Sequence, residues 1–154
     1  RTRRSIEKKD AGLIFYRSPA TVPATSELSP FFRVTWPEIG AGVAHDLDSV
    51  KPGQAGNILL LGHNNTAGQV FRRLSELESG DQIVVYTDDR TFTYVVTAKE
   101  FVRAVGAGEQ DLALHGSFLG PKYEETLTLI SCWPYSTYTH RLYVVAKPSG
   151  TRNQ

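Results

Sequence analysis

The chain has 154 residues, 40% of them apolar and 21% charged, with 17 basic against 16 acidic side chains for a formal net charge of +1. That length suits one domain with a proper core, and the balanced charge offers no electrostatic footprint for nucleic acid or a membrane surface. A single cysteine, Cys132, excludes an internal disulfide and any cysteine-based metal cluster. No run reaches the roughly 18 apolar residues of a membrane span, and the lack of any methionine predicts an excised soluble portion of a longer chain.

Residues 1–9 carry Arg1, Arg3, Arg4, Lys8 and Lys9 and read as a solvated arm or short helix. Residues 18–30 are rich in Pro, Ser, Thr and Ala and read as a linker. The expected division is an N-terminal arm over 1–30, a domain over 31–148 and a polar tail over 149–154. Within the domain, 32–36 and 42–45 read as strands broken by Pro37 and Gly40. Residues 57–61 are a nearly continuous apolar strand, which predicts burial on both faces. Val70, Phe71, Leu74 and Leu77 form a helical stripe within 67–79, closed by Gly80. Residues 82–87 and 91–102 form a hairpin, with Phe92, Tyr94 and Val96 on one face.

Residues 104–125 lack strand periodicity and are broken by glycines. A connection this long is functional or holds a short helix. Two strands follow, 126–132 and 141–147, joined by a loop of Trp133, Pro134, Tyr135, Ser136, Thr137, Tyr138, Thr139 and His140. Seven or eight strands, one clear short helix and frequent turns predict an all-β, closed or nearly closed barrel.

The chemistry-bearing residues cluster at strand ends. Cys132 ends one strand and Arg141 begins the next. A thiolate is the nucleophilic form of cysteine, and a nearby cation favours it; arginine stays charged at every pH and offers a planar fork of donors. Side-chain alternation puts Cys132 with Thr126, Thr128 and Ile130, and Arg141 with Tyr143 and Val145. If the strands pair antiparallel, Cys132 and Arg141 can point into one groove. A thiol nucleophile also needs a base. His63 follows the apolar run Asn57-Ile58-Leu59-Leu60-Leu61-Gly62 at another strand end. His140 sits in the right loop but on the opposite side of the backbone from Arg141. His45 and His115 read as surface or structural residues. No carboxylate or histidine spacing suggests a metal site, and no cofactor is expected.

Leu61-Gly62-His63, then Thr128-Leu129-Ile130-Ser131-Cys132, then Thr139-His140-Arg141 resembles the sortase family of cysteine transpeptidases. Gly53, Gly56-Asn57, Phe71 with Leu74, and Gly80-Asp81 fit the same resemblance, which runs from about residue 32 to 147. Ser131 stands where the family usually has Thr, keeping the hydroxyl and losing a methyl. The resemblance implies an eight-stranded closed sortase barrel. It also implies cleavage of an LPXTG-like sorting-signal peptide at Thr–Gly, a thioester on Cys132, and transfer to an amine of the cell wall or a pilin. Cys132, His63 and Arg141 would be the catalytic residues. The segment 104–125 takes the position of the loop that forms one wall of the family's substrate groove. The resemblance further implies an N-terminal membrane anchor outside this sequence and an extracytoplasmic location.

Around that core, Ser131, Trp133, Tyr135 and Asn64 are candidate substrate-binding residues. Asn64 could equally satisfy the turn after His63, and Trp133 and Tyr135 could equally pack the loop. A thiol hydrolase or protease of the same fold, or a non-catalytic β-barrel binding module with an inert thiol, are the competing expectations.

Overall fold

The computed structural model describes residues 12–15, 43–46, 48–62, 71–86, 90–134 and 136–153. Their strands form one seven-stranded sheet in the order β1-β4-β5-β7-β6-β3-β2: β1 Gly12–Phe15, β2 Ala44–His45, β3 Asn57–Leu61, β4 Gln82–Tyr86, β5 Thr91–Arg103, β6 Thr126–Trp133 and β7 His140–Asn153. The pairs β1–β4 and β3–β6 are parallel; all others are antiparallel. The sheet curls into a half-barrel with few helices, and in the described residues β1 and β2 are its two edges.

Alternation along the strands builds two apolar layers. The inner layer joins Ile58 and Leu60 of β3, Ile83 and Val85 of β4, Phe92, Tyr94 and Val96 of β5, Leu127 and Leu129 of β6, and Leu142, Val144 and Ala146 of β7. The outer layer is smaller: Leu59, Leu61, Val102, Ile130 and Tyr143, with Phe118 and Leu119 packed on them. All five residues of β3 are buried, as its unbroken apolar run predicts. The 82–87 and 91–102 hairpin is present as β4 and β5, paired Gln82↔Val95 through Tyr86↔Thr91.

Three features differ from the sequence expectations, and a fourth selects one of two expected options. Gly12–Phe15, inside the segment expected to be an arm, pairs with β4 from Gly12↔Ile83 to Phe15↔Tyr86. The described part of the expected 67–79 helix is a single 3₁₀ turn at Leu74–Glu76. Its buried residues Phe71, Leu74 and Leu77 recur every three positions, the period of a 3₁₀ helix, in which such side chains eclipse. The described part of the expected polar tail, 149–153, is the end of β7, which pairs with β5 as far as Thr91↔Asn153. Pro148 stands opposite Tyr94, next to a register shift between Phe92 and Tyr94, where a missing N–H donor is tolerated. The long connection 104–125 holds a helix, α1, Glu109–Leu119. The strand expected at 32–36 lies outside the described residues.

Buried polar groups fix α1 to the sheet. The Asn57 side chain donates through Nδ2 to the carbonyls of Phe118 (2.8 Å) and Gly120 (2.9 Å), and its Oδ1 accepts from Thr128 Oγ1 at 2.7 Å. One buried amide thus ties the C-terminal end of α1 to β3 and β6. Further along the helix, His115 is 3% exposed. Its Nδ1 lies 2.6 Å from the Tyr143 hydroxyl on β7, and its Nε2 lies 2.8 Å from the Arg103 carbonyl on β5.

Candidate active site

Cys132 and Arg141 are direct partners in the antiparallel β6–β7 ladder. Side chains so placed on one face have Cβ atoms about 4.5–5.5 Å apart. Cys132 follows Ile130 by two residues and Arg141 precedes Tyr143 by two, so both share the outer face with that apolar layer. The antiparallel pairing that the shared groove requires is present, with Cys132 and Arg141 in register.

Cys132 is a half-buried thiol outside any disulfide. Burial pushes its pKa above the ordinary thiol value, and the Arg141 charge pulls the other way without offsetting it. The cation is where the sequence places it, yet desolvation dominates, so the resting group at neutral pH is the thiol. Arg141 Nη1 reaches the carbonyls of Tyr138 and His140 at 3.4 Å each, long contacts at the weak end of hydrogen bonding. Tyr138 adopts φ 57°, the left-handed region, which turns the β6–β7 loop, and its N–H donates to Pro134 O at 3.2 Å. The loop is also pinned from β5: Thr139 O accepts from the N–H groups of Ala104 (2.8 Å) and Val105 (3.1 Å).

The third strand end is docked beside the first two. Gly62 donates its N–H to Ile130 O at 3.2 Å, and Ser131 Oγ donates to Gly62 O at 2.8 Å. The residue before His63 is thus latched to the residue before Cys132. His63, Asn64 and Tyr135 lie outside the described residues.

Ser131 and Trp133, expected among the substrate contacts, are placed otherwise. Flanking Cys132 in a strand, both point to the inner face. Ser131 is buried with its hydroxyl committed to Gly62. Trp133 packs against the inner core and against Phe101, with ring centroids 5.2 Å apart. These contacts are with the core and β5, not with the β6–β7 loop, the alternative for Trp133. His140 pairs in register with Trp133, faces away from Arg141, and bonds Thr139 Oγ1 through Nδ1 at 2.8 Å. His45 is buried, with Nε2 2.9 Å from both Val50 O and Ser49 Oγ; burial lowers its pKa. At the far end of β3 and β6 from Cys132, a cavity of about 450 Å³ lies between the 46–57 loop and the end of α1, lined by Asp46, Asp48, Asn57, Leu119 and Lys122 among others.

The Sortase domain family model matches residues 17–149. The chain belongs to the sortase family. Among curated sortases, it is similar to Sortase SrtE1 of Streptomyces coelicolor, 37% identical over 101 residues covering 61% of this chain and 27% of that one. It is similar also to Sortase D of Bacillus subtilis, 36% identical over 100 residues covering 64% of this chain and 44% of that one. The chain therefore matches less than half the length of either relative. Among solved sortases, its fold is similar to sortase A from Corynebacterium diphtheriae (TM-score 0.66, 24% identity, 96% of this chain and 59% of that one). Sortase C-1 from Actinomyces oris gives TM-score 0.67 at 20% identity, over 95% of this chain and 71% of that one.

Proposed function

We propose that this sortase cleaves an LPXTG-like sorting signal at Thr–Gly through a thioester on Cys132 and passes the acyl group to an amine of the cell wall or a pilin. The observation that carries this reading is the Cys132↔Arg141 pairing on one face of β6–β7. In the proposed sequence, His63 takes the thiol proton as sulfur attacks the Thr carbonyl carbon. Arg141 donates hydrogen bonds to the oxyanion, stabilising charge that exists only in the transition state and intermediate. The C–N bond then breaks and His63 gives its proton to the departing Gly amine. An incoming amine attacks the thioester, loses its proton to His63 and releases the thiol. Because burial keeps Cys132 protonated at rest, this route requires the base; the cation alone does not supply a thiolate.

In the same reading, Asn64 and Tyr135 contact the peptide, and α1 with its flanking loops forms one wall of the groove. The domain works outside the cytoplasm, tethered by a segment beyond this sequence. The test is mass spectrometry of protein incubated with a panel of Leu-Pro-x-Thr-Gly-like peptides, with and without amine acceptors. An acyl adduct on Cys132 that amines convert to transpeptidation product is expected. Adducts released only to water would make the enzyme a hydrolase, and no adduct with any peptide would leave a binding module.

A further inference from the structure

We propose that His115, acting through Tyr143, is a positioning residue that holds Arg141 over Cys132; the proposal rests on the reading of Arg141 as the oxyanion donor. Tyr143 lies two residues beyond Arg141 on the same face of β7 and is the in-register partner of Ile130, as Arg141 is of Cys132. Its ring is fully buried and stacks on Phe118 of α1, centroids 4.7 Å apart and planes 8° from parallel. Its hydroxyl meets His115 Nδ1 at 2.6 Å. On the other side, His115 Nε2 meets the Arg103 carbonyl at 2.8 Å. A carbonyl only accepts, so Nε2 carries the hydrogen; in the neutral ring Nδ1 is then the acceptor and the phenol the donor.

The two hydrogen bonds of one imidazole therefore land on Arg141's own strand, β7, and on its neighbour β5. Tyr143 follows Arg141 on β7, and Arg103 follows Val102, the cross-strand partner of Arg141 on β5. Arg141 has Cys132 on β6 and buried Val102 on β5 as its register partners and Tyr143 two residues on along the same face, and its charge acts on both Cys132 and Tyr143. A plain staple would not need polar groups here. Burying a hydroxyl and an imidazole costs free energy that their hydrogen bonds roughly return, whereas an apolar pair would pack α1 without that cost. What the polar pair adds is direction. It fixes the phenol on the face of β7 that Arg141 shares.

The test uses Tyr143→Phe, which removes one oxygen and keeps the stacked ring, with His115→Phe and His115→Asn, the last restoring an amide near the Nδ1 position. Two readouts are followed: single-turnover acylation with a cleaved peptide, and the pH dependence of Cys132 alkylation by iodoacetamide. Tyr143→Phe and His115→Phe should lower the acylation rate about tenfold with KM within about twofold, the scale of a small misplacement at a reacting centre. They should also move the alkylation midpoint upward, and His115→Asn should recover most of both effects. In an Arg141→Ala background, Tyr143→Phe should shift the alkylation curve no further, because the two act through one group. The proposal is overturned if the variants lower only the melting temperature, or if the Tyr143→Phe shift survives unchanged without Arg141. Alkylation needs no peptide. A protein that cleaves none of them would refute the proposed function while the His115 proposal is still decided by the alkylation curves.

Discussion

At Cys132 two opposing effects are set by neighbours one can name. Burial raises the thiol pKa and Arg141 lowers it, with burial the larger. Removing the charge by Arg141→Ala should therefore move the midpoint of Cys132 alkylation to still higher pH. Arg141→Lys keeps a charge but loses the planar fork. It should leave that curve nearly in place while lowering acylation by about two orders of magnitude, the usual cost of an oxyanion donor. A Lys variant with near-normal acylation would reduce Arg141 to a pKa-tuning charge. Cys132→Ala should abolish the acyl adduct and leave the melting curve within a few degrees of the parent. The Cys132–Arg141 pair was legible in the sequence because a strand transmits side-chain direction with period two. The same rule sends Ser131 and Trp133 inward, and their nearness to Cys132 in sequence outweighed it. The Tyr143–His115 contact was not legible, since His115 sits on a helix whose docking the sequence pattern does not set.

Among the elements, α1 and the β6–β7 loop carry the polar anchors. Asn57→Ala would leave two carbonyls and the Thr128 hydroxyl without their present partner. It should cost about 2–4 kcal/mol in denaturant unfolding, the range for breaking a buried network. In the β6–β7 loop, Tyr138 holds a left-handed backbone. Tyr138→Gly should be near neutral in stability, whereas the β-branched Tyr138→Val should lose about 1–2 kcal/mol. At the β2–β3 connection, the buried His45 has a lowered pKa. The unfolded chain takes up its proton first, so this group's contribution is intact above about pH 6.5 and is lost as pH falls through the depressed folded value. His45→Gln should flatten that acid limb of the stability profile; an unchanged limb would assign it to other groups. Of these elements, the continuous run of β3 and the β4–β5 hairpin could be read from pattern. The helix inside 104–125 could be read only as one of two options, because its inward face carries His115 and Phe118 rather than an aliphatic stripe.

For the whole molecule, the least legible feature is the edge of the sheet. Gly12–Phe15 is four residues long, sits beside a basic run, and pairs in parallel with a strand some seventy positions away. Nothing local announces such a partner, whereas the antiparallel hairpin needs only a turn. Without β1, the outer backbone edge of β4 would be a row of unpaired donors and acceptors, a template for self-association. Deletion of residues 1–15 should therefore promote oligomers in light scattering while leaving Cys132 alkylation close to that of the full chain. A monodisperse truncated protein would show that β1 is dispensable to the sheet.

The latch between Gly62 and Ser131 joins residues 69 apart in the chain, and Cys132 faces its guanidinium only once β7, the last strand, has zipped against both β5 and β6. Contacts of such separation form slowly, because the loop-closure entropy is met before the contacts reward it. The thiol is therefore the group whose protection arrives last. On refolding from denaturant, secondary structure should appear well before Cys132 resists a thiol reagent. Throughout that interval the chain carries a solvated, unguarded sulfur, open to oxidation and to foreign disulfides that the finished site, by desolvating it, suppresses.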